Sequence, residues 1–162
     1  MAADSGERAE HSAFRELVQC HLYGRADGVA LLTLAGACIY AEGCLLALVD
    51  ETAERRSSLV GLAADEGGAD GAVAAGLDLL GRHFVCVERW TDGFHAVSAA
   101  RKGVGASGEL RRQTLLGMHV RHSVLAVAHA AALGGSDGQE ARAMALHLAD
   151  ILRGGPAPAG VP

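Results

Sequence analysis

The sequence predicts an α/β (α+β) domain in which a central antiparallel sheet is bracketed by one helix near each end of the chain. Three observations carry that expectation. Phe14, Leu17, Val18, His21 and Leu22 recur at helical spacing near one end, and Ala141, Met144, Ala145, Leu148 and Leu152 do so near the other. Between them lie short runs rich in Val, Leu, Ile and Phe. In the middle of the chain those runs follow one another directly, separated by glycines and turn residues. That order favours an antiparallel meander over the parallel sheet built by alternating strands and helices.

Ser12 stands where it would cap the first helix, with Arg15 and Glu16 in the first turn, and Gly24 ends it. Residues 1–11 are polar and read as a flexible extension. Gly28 opens a strand over 29–34, Ala35 and Gly36 suit a tight turn, and 37–41 form the return strand of a hairpin. Residues 44–64 suit one or two helices ending near the glycines at 67–71. Three strands follow at 72–79, 83–89 and 94–99. They break at Gly81 and at Asp92-Gly93, where positive φ is tolerated. A glycine-rich loop at 103–108 leads to two more strands at 110–120 and 123–129, and then to a loop at 130–136. The last helix runs from Asp137 to about Leu152, where Gly154-Gly155-Pro156 stops it. The expected division is thus an extension at 1–11, one domain at 12–153 and a disordered tail at 154–162.

The 162 residues fit one domain. Half of them are hydrophobic but only 4% are aromatic, so the core must be built from Ala, Leu and Val. With 19 acidic residues against 14 basic ones, the net charge of -5 argues against a general nucleic-acid binder. No apolar run approaches the ~20 residues of a membrane-spanning helix. Cys20, Cys38, Cys44 and Cys86 match no zinc spacing. Three of them lie in stretches where a buried thiol is ordinary, and reduced thiols in the cytoplasm are the simplest reading. His119 and His122, three apart on a strand and turn, would face opposite ways, so no metal is expected. The glycines at 103, 105 and 108 mimic a dinucleotide fingerprint but lead into a strand, without the helix N-terminus that holds phosphate. No nucleophile elbow or metalloprotease helix is present, so neither a cofactor nor an enzymatic activity is expected.

Several segments together resemble the profilin family. Residues 76–84 are similar to the stretch where a profilin strand ends at a glycine and re-enters as the next strand. Residues 99–103 look like the basic, glycine-ended segment two strands later. Ser136-Asp137-Gly138-Gln139 leading into 144–152 resembles the start and body of the profilin C-terminal helix. The likeness covers roughly residues 12–153. It implies a sheet with both terminal helices packed on one face. It also implies a cytoplasmic, cytoskeletal protein that binds monomeric actin, proline-rich peptides and phosphoinositide headgroups. On this resemblance the proline-peptide groove falls on Phe14, Leu17, Tyr40, His147 and Leu148, while Arg153 replaces an expected aromatic. The actin face falls on His83, Arg89, Arg101, Lys102, Gly134 and Gly135. Arg89 meets the family arginine only with a shift of one residue; without it Glu88 stands there and reverses the charge.

Plainer readings stand beside these. Phe14, Leu17 and Tyr40 also read as core positions, His147 as a solvated histidine, and Arg101-Lys102 as a basic strand end. A phosphoinositide patch requires Arg101, Lys102, Arg111, Arg112 and Arg121 on one surface. The rival architecture is a roadblock or longin-type dimeric scaffold of similar size. The packing of the terminal helices separates the two: on one sheet face for the first reading, elsewhere for the second.

Overall fold

The structure is a computed structural model that describes residues 2–22, 26–64, 76–99, 101–102, 110–132 and 137–154. Helix α1 spans Ala2–Leu22 and β1 Gly28–Thr33. Strand β2 spans Cys38–Gly43, followed by a 3-10 helix at Cys44–Asp50 and α2 at Ala53–Ala64. The middle strands are β3 (Gly76–Leu79), β4 (Arg82–Trp90), β5 (Gly93–Ser98) and the two-residue β6 (Arg101–Lys102). Strands β7 (Leu110–Val120) and β8 (Ser123–Ala132) precede α3 (Asp137–Leu152). All pairings are antiparallel, in the order β2-β1-β8-β7-β5-β4-β3, with β6 beside β7.

The expected element order holds, with corrections at the ends of elements. Helix α1 begins at Ala2, so residues 2–11 are helical and Ser12 lies inside the helix instead of capping it. Strand β8 runs on to Ala132, three residues past the expected end. The short β6 was expected only as a basic segment; it pairs Arg101 with Arg111 and Lys102 with Leu110. The glycine cluster at 67–71, the start of the strand expected at 72–79 and the loop at 103–108 lie outside the described residues, as does the tail from 155 onward.

Period-two alternation divides the sheet into two apolar faces. Strand β8 shows it best. Val124, Ala126 and Ala128 point to one side, and Leu125 and Val127 to the other. The first side packs against the 3-10 helix through Leu45 and Leu48 and against α2 through Leu59, Val60 and Ala63. The second packs against α1 through Phe14, Val18 and Leu22, spaced by four residues, and against α3 through Ala145, Leu148 and Ala149. Both terminal helices therefore lie on one face, in contact with each other, as the first reading requires. We call this the helix face and the opposite one the α2 face.

Two local devices shape the half of the sheet formed by β3, β4 and β5. Leu80 and Gly81 have φ of 57° and 70°, the paired positive values that a two-residue hairpin turn of this hand needs. Leu80 has a Cβ, so this conformation is strained, and its N–H donates to Glu51 Oε2 at 2.9 Å. On β7, Gly117 lies opposite Phe94, whose ring fills the space a side chain would take: a Cβ there would sit 2.3 Å from the ring. On the α2 side, Arg56 ties three segments together. Its guanidinium donates to the carbonyls of Gly36 at 2.8 Å, Leu48 at 3.1 Å and Glu51 at 2.6 Å.

Candidate functional site

The two terminal helices and β2 meet in a seam on the helix face. The structure brings the five candidate groove residues to it. Phe14 and Tyr40 touch edge to face, with ring centres 4.9 Å apart. Leu17 is half-buried beside them, and His147 on α3 is exposed. Leu148 has no exposed surface and belongs to the core, and Phe14 is only 7% exposed. Tyr40 is also largely buried, and its hydroxyl donates to Glu42 Oε2 at 2.5 Å. Burial, and then the Glu42 carboxylate, push the Tyr40 phenol up.

Two features of the seam were not legible from the family pattern. His147 meets His21 of α1 edge to face, ring centres 5.2 Å apart, so a second imidazole joins the surface part of the seam. Arg153, where an aromatic was expected, acts as a clamp. Its Nε–H donates to the His119 carbonyl at 2.9 Å, Nη2 reaches the Asp92 carbonyl at 3.4 Å, and Nη1 pairs with Asp150 at 3.2 Å. It fastens the end of α3 to β7 and to the β4–β5 turn. Beyond the seam, a cleft of about 190 Å³ opens between α1 and the β1–β2 hairpin, lined by Val18, Leu22, Asp27, Val29 and Glu42.

The second candidate surface is the part of the helix face that the helices do not reach. On β4, Phe84 and Cys86 point into the α2-side core, while Val85 and Val87 remain 47% and 50% exposed. The register pairs Cys86 with Ala96 and Glu88 with His95, so Val87 is the extra residue of a bulge. Val87 and Glu88 thereby come in succession to the exposed side. Val97 lies opposite Val85 and is half-buried. At the border, Arg142 of α3 pairs with Glu88 at 2.8 Å and lies 5.4 Å over the Trp90 ring. The Arg142 guanidinium holds the Glu88 carboxyl below the usual range. Burial, then Arg142, lower His95.

The actin-face candidates do not converge on one surface. His83 lies on this bare half-face and its Nδ1 pairs with Asp78 at 2.7 Å, across β3 and β4. Arg89 pairs in register with the core residue Phe94 and so falls on the α2 face. Arg101 and Lys102 sit on β6 at the start of β7. Gly134 and Gly135 lie outside the described residues. The five-residue basic patch divides: Arg101 is paired with Arg111, but Arg121 is in the turn at the far end of β7. Ten residues of strand at ~3.4 Å each place it about 30 Å away.

All four thiols are free. Of the four, only Cys86 is buried; Cys38 is half-buried and Cys20 and Cys44 are exposed. Burial raises Cys86, Cys44 and Cys38. Among the described residues no three His, Cys, Asp or Glu side chains converge to hold a metal ion, and no helix is long and apolar enough to cross a membrane.

Val85 and Val87 are the functional candidates that the sequence reading passed over. The run 84–87 is apolar at every position, the mark of a strand expected to be covered on both sides. Exposure of one side follows from where α3 ends its coverage, which no local pattern records.

Comparison with known proteins places this geometry. No protein-family pattern matches the chain, and no curated protein matches it in sequence. Solved structures do match. Profilin IA of Acanthamoeba castellanii superposes with a TM-score of 0.58 at 20% identity, over 86% of this chain and 95% of that one. Schizosaccharomyces pombe profilin gives 0.57 at 16% identity, over 82% and 88%. Mouse profilin IIa, solved in complex with a double repeat from the FH1 domain of mDia1, gives 0.51 at 14% identity, over 83% and 94%. The chain has a divergent profilin-like fold.

Proposed function

We propose that this profilin-like chain is a non-enzymatic, cytoplasmic actin-monomer-binding protein of the cytoskeleton, and that its partner docks on the bare half of the helix face. The observation that carries the proposal is the exposure of Val85 and Val87, 47% and 50%, close together on β4. Side chains of this kind contribute nothing to the core, and on a partner-binding fold they suit the centre of an interface. His83 stands on the same half-face, Arg101 and Lys102 form the β6 segment that pairs with the start of β7, and Gly134-Gly135 precedes α3 in the sequence.

Proline-rich peptides are the second ligand class, and the weaker one. A mouse profilin was solved with a double repeat from the FH1 domain of mDia1, and a polyproline helix needs flat rings to stack on. Here Phe14 and Leu148 are committed to the core, and the Tyr40 hydroxyl is held by Glu42. Leu17, His147 and His21 remain to form a shallow surface. Phosphoinositide headgroups are the third class, at the β6–β7 ladder where Arg101, Lys102, Arg111 and Arg112 follow closely.

The test is to mix the purified protein with monomeric actin and follow both sedimentation of the mixture and the polymerisation lag. The proposal expects a co-sedimenting complex and a longer lag. An unchanged lag and separate sedimentation, from protein shown to be folded, would remove it.

A further inference from the structure

The bare half-face carries little free charge at its centre. Among the described residues, the imidazole and the guanidinium that flank the exposed valines are each held by an acid on the same face. His83 pairs with Asp78 at 2.7 Å, and Arg142 pairs with Glu88 at 2.8 Å. Arg142 is held twice, since its guanidinium also lies over the Trp90 ring. The pair is open to solvent, with 33% of the Arg142 side chain and 48% of the Glu88 side chain exposed. Packing does not demand such a pair, because exposed ion pairs add little to stability. Its effect falls on what the surface presents: a guanidinium beside the valines is masked, and a carboxylate stands with it.

We propose that Glu88 is a specificity-determining residue of this face. By holding Arg142 it removes free positive charge from the valine patch and tempers the attraction of this face for an acidic partner. Taking away the carboxylate leaves a net positive charge at the rim, which attracts an acidic partner surface over roughly one Debye length. The inference rests on the proposed function in one respect only: the acidic partner is taken to be monomeric actin.

The sign of the effect separates this role from a structural one. If Glu88 merely braces α3 against β4, Glu88→Gln loosens the face and weakens binding. If Glu88 masks Arg142, Glu88→Gln strengthens it, by about three- to tenfold at low salt, and the gain shrinks as salt rises. Glu88→Asp, which keeps the charge, stays close to the wild type. Arg142→Gln placed in the Glu88→Gln background cancels the gain.

A readout without any partner is built into the chain, because Trp90 is its single tryptophan and lies under Arg142. Quenching of Trp90 fluorescence by iodide relative to caesium reports the local charge. The proposal expects this ratio to rise in Glu88→Gln and to return in the double variant. An unchanged ratio overturns it, and so does a raised ratio with weaker actin binding. If no form binds actin while the ratio rises, the actin reading falls and the charge mask stands.

Discussion

The helix face has two halves built from strands of the same kind, and they are used differently. Over β1, β8 and β7 the face is covered by α1 and α3, and Leu116, Met118, Leu125 and Val127 vanish beneath them. Over β5 and β4 the same alternation continues with no described helix laid across it, and Val85 and Val87 remain at the surface. The lesson is that an apolar strand position does not reveal its role until its cover is known. On the covered half, the best candidate ligand residues turn out to be core. On the bare half, residues that looked like core are the best candidates for binding.

The sharpest way to break this comparison is to truncate one residue from each half. Leu148→Ala removes a fully buried side chain between α3 and the sheet and is expected to cost about 2–5 kcal/mol in chemical denaturation. Val85→Ala is expected to stay within about 0.5 kcal/mol. Equal losses would mean that the bare half is structural after all.

A second experiment concerns how the bare half is supported. The turn between β3 and β4 is held from the α2 side by Glu51, which accepts the Leu80 N–H and pairs with Arg55 at 3.1 Å. The Leu80 N–H, chiefly, lowers the Glu51 carboxyl. A lowered folded-state value means stability that is present above the unfolded carboxyl value of about 4.3 and is lost as pH falls through the folded one. Denaturation across the acid range should therefore show a smaller decline in Glu51→Gln than in the wild type. Parallel acid limbs would show that Glu51 has no part in it.

The smallest expected effect lies at the seam. Arg153→Tyr restores one ring where the clamp now stands, and a stacking ring is worth about 1 kcal/mol. Titration with a proline-rich peptide should show affinity rising about fivefold, alongside a modest loss of stability from the missing bonds to His119 and Asp92. A peptide affinity that does not move would place the groove elsewhere.

These differences follow what a sequence records. The last helix was legible from Asp137 to Leu152 because a glycine stop and a regular apolar stripe mark it. The start of α1 was not, since residues 2–11 carry no apolar period and Ser12 imitates a cap. Strand β6 is two residues long, too short for any period to register. The seam was legible in outline: Phe14 touches Tyr40, and His147 lies on the neighbouring α3. Its His21–His147 contact and the Arg153 clamp join residues more than thirty positions apart and leave no local trace. The displacement of Arg89 to the opposite face depends on a bulge at Val87, and one extra residue reverses the facing of all that follow.

The central claim, that the bare half of the helix face is the partner surface, is tested most directly by amide hydrogen exchange with and without monomeric actin. The account predicts slowed exchange concentrated on β4 and β5 around Val85, Val87 and His95 and on the first turns of α3, with the α1–α3 seam unchanged. Protection at the seam or along β2, with β4 unaffected, would contradict it.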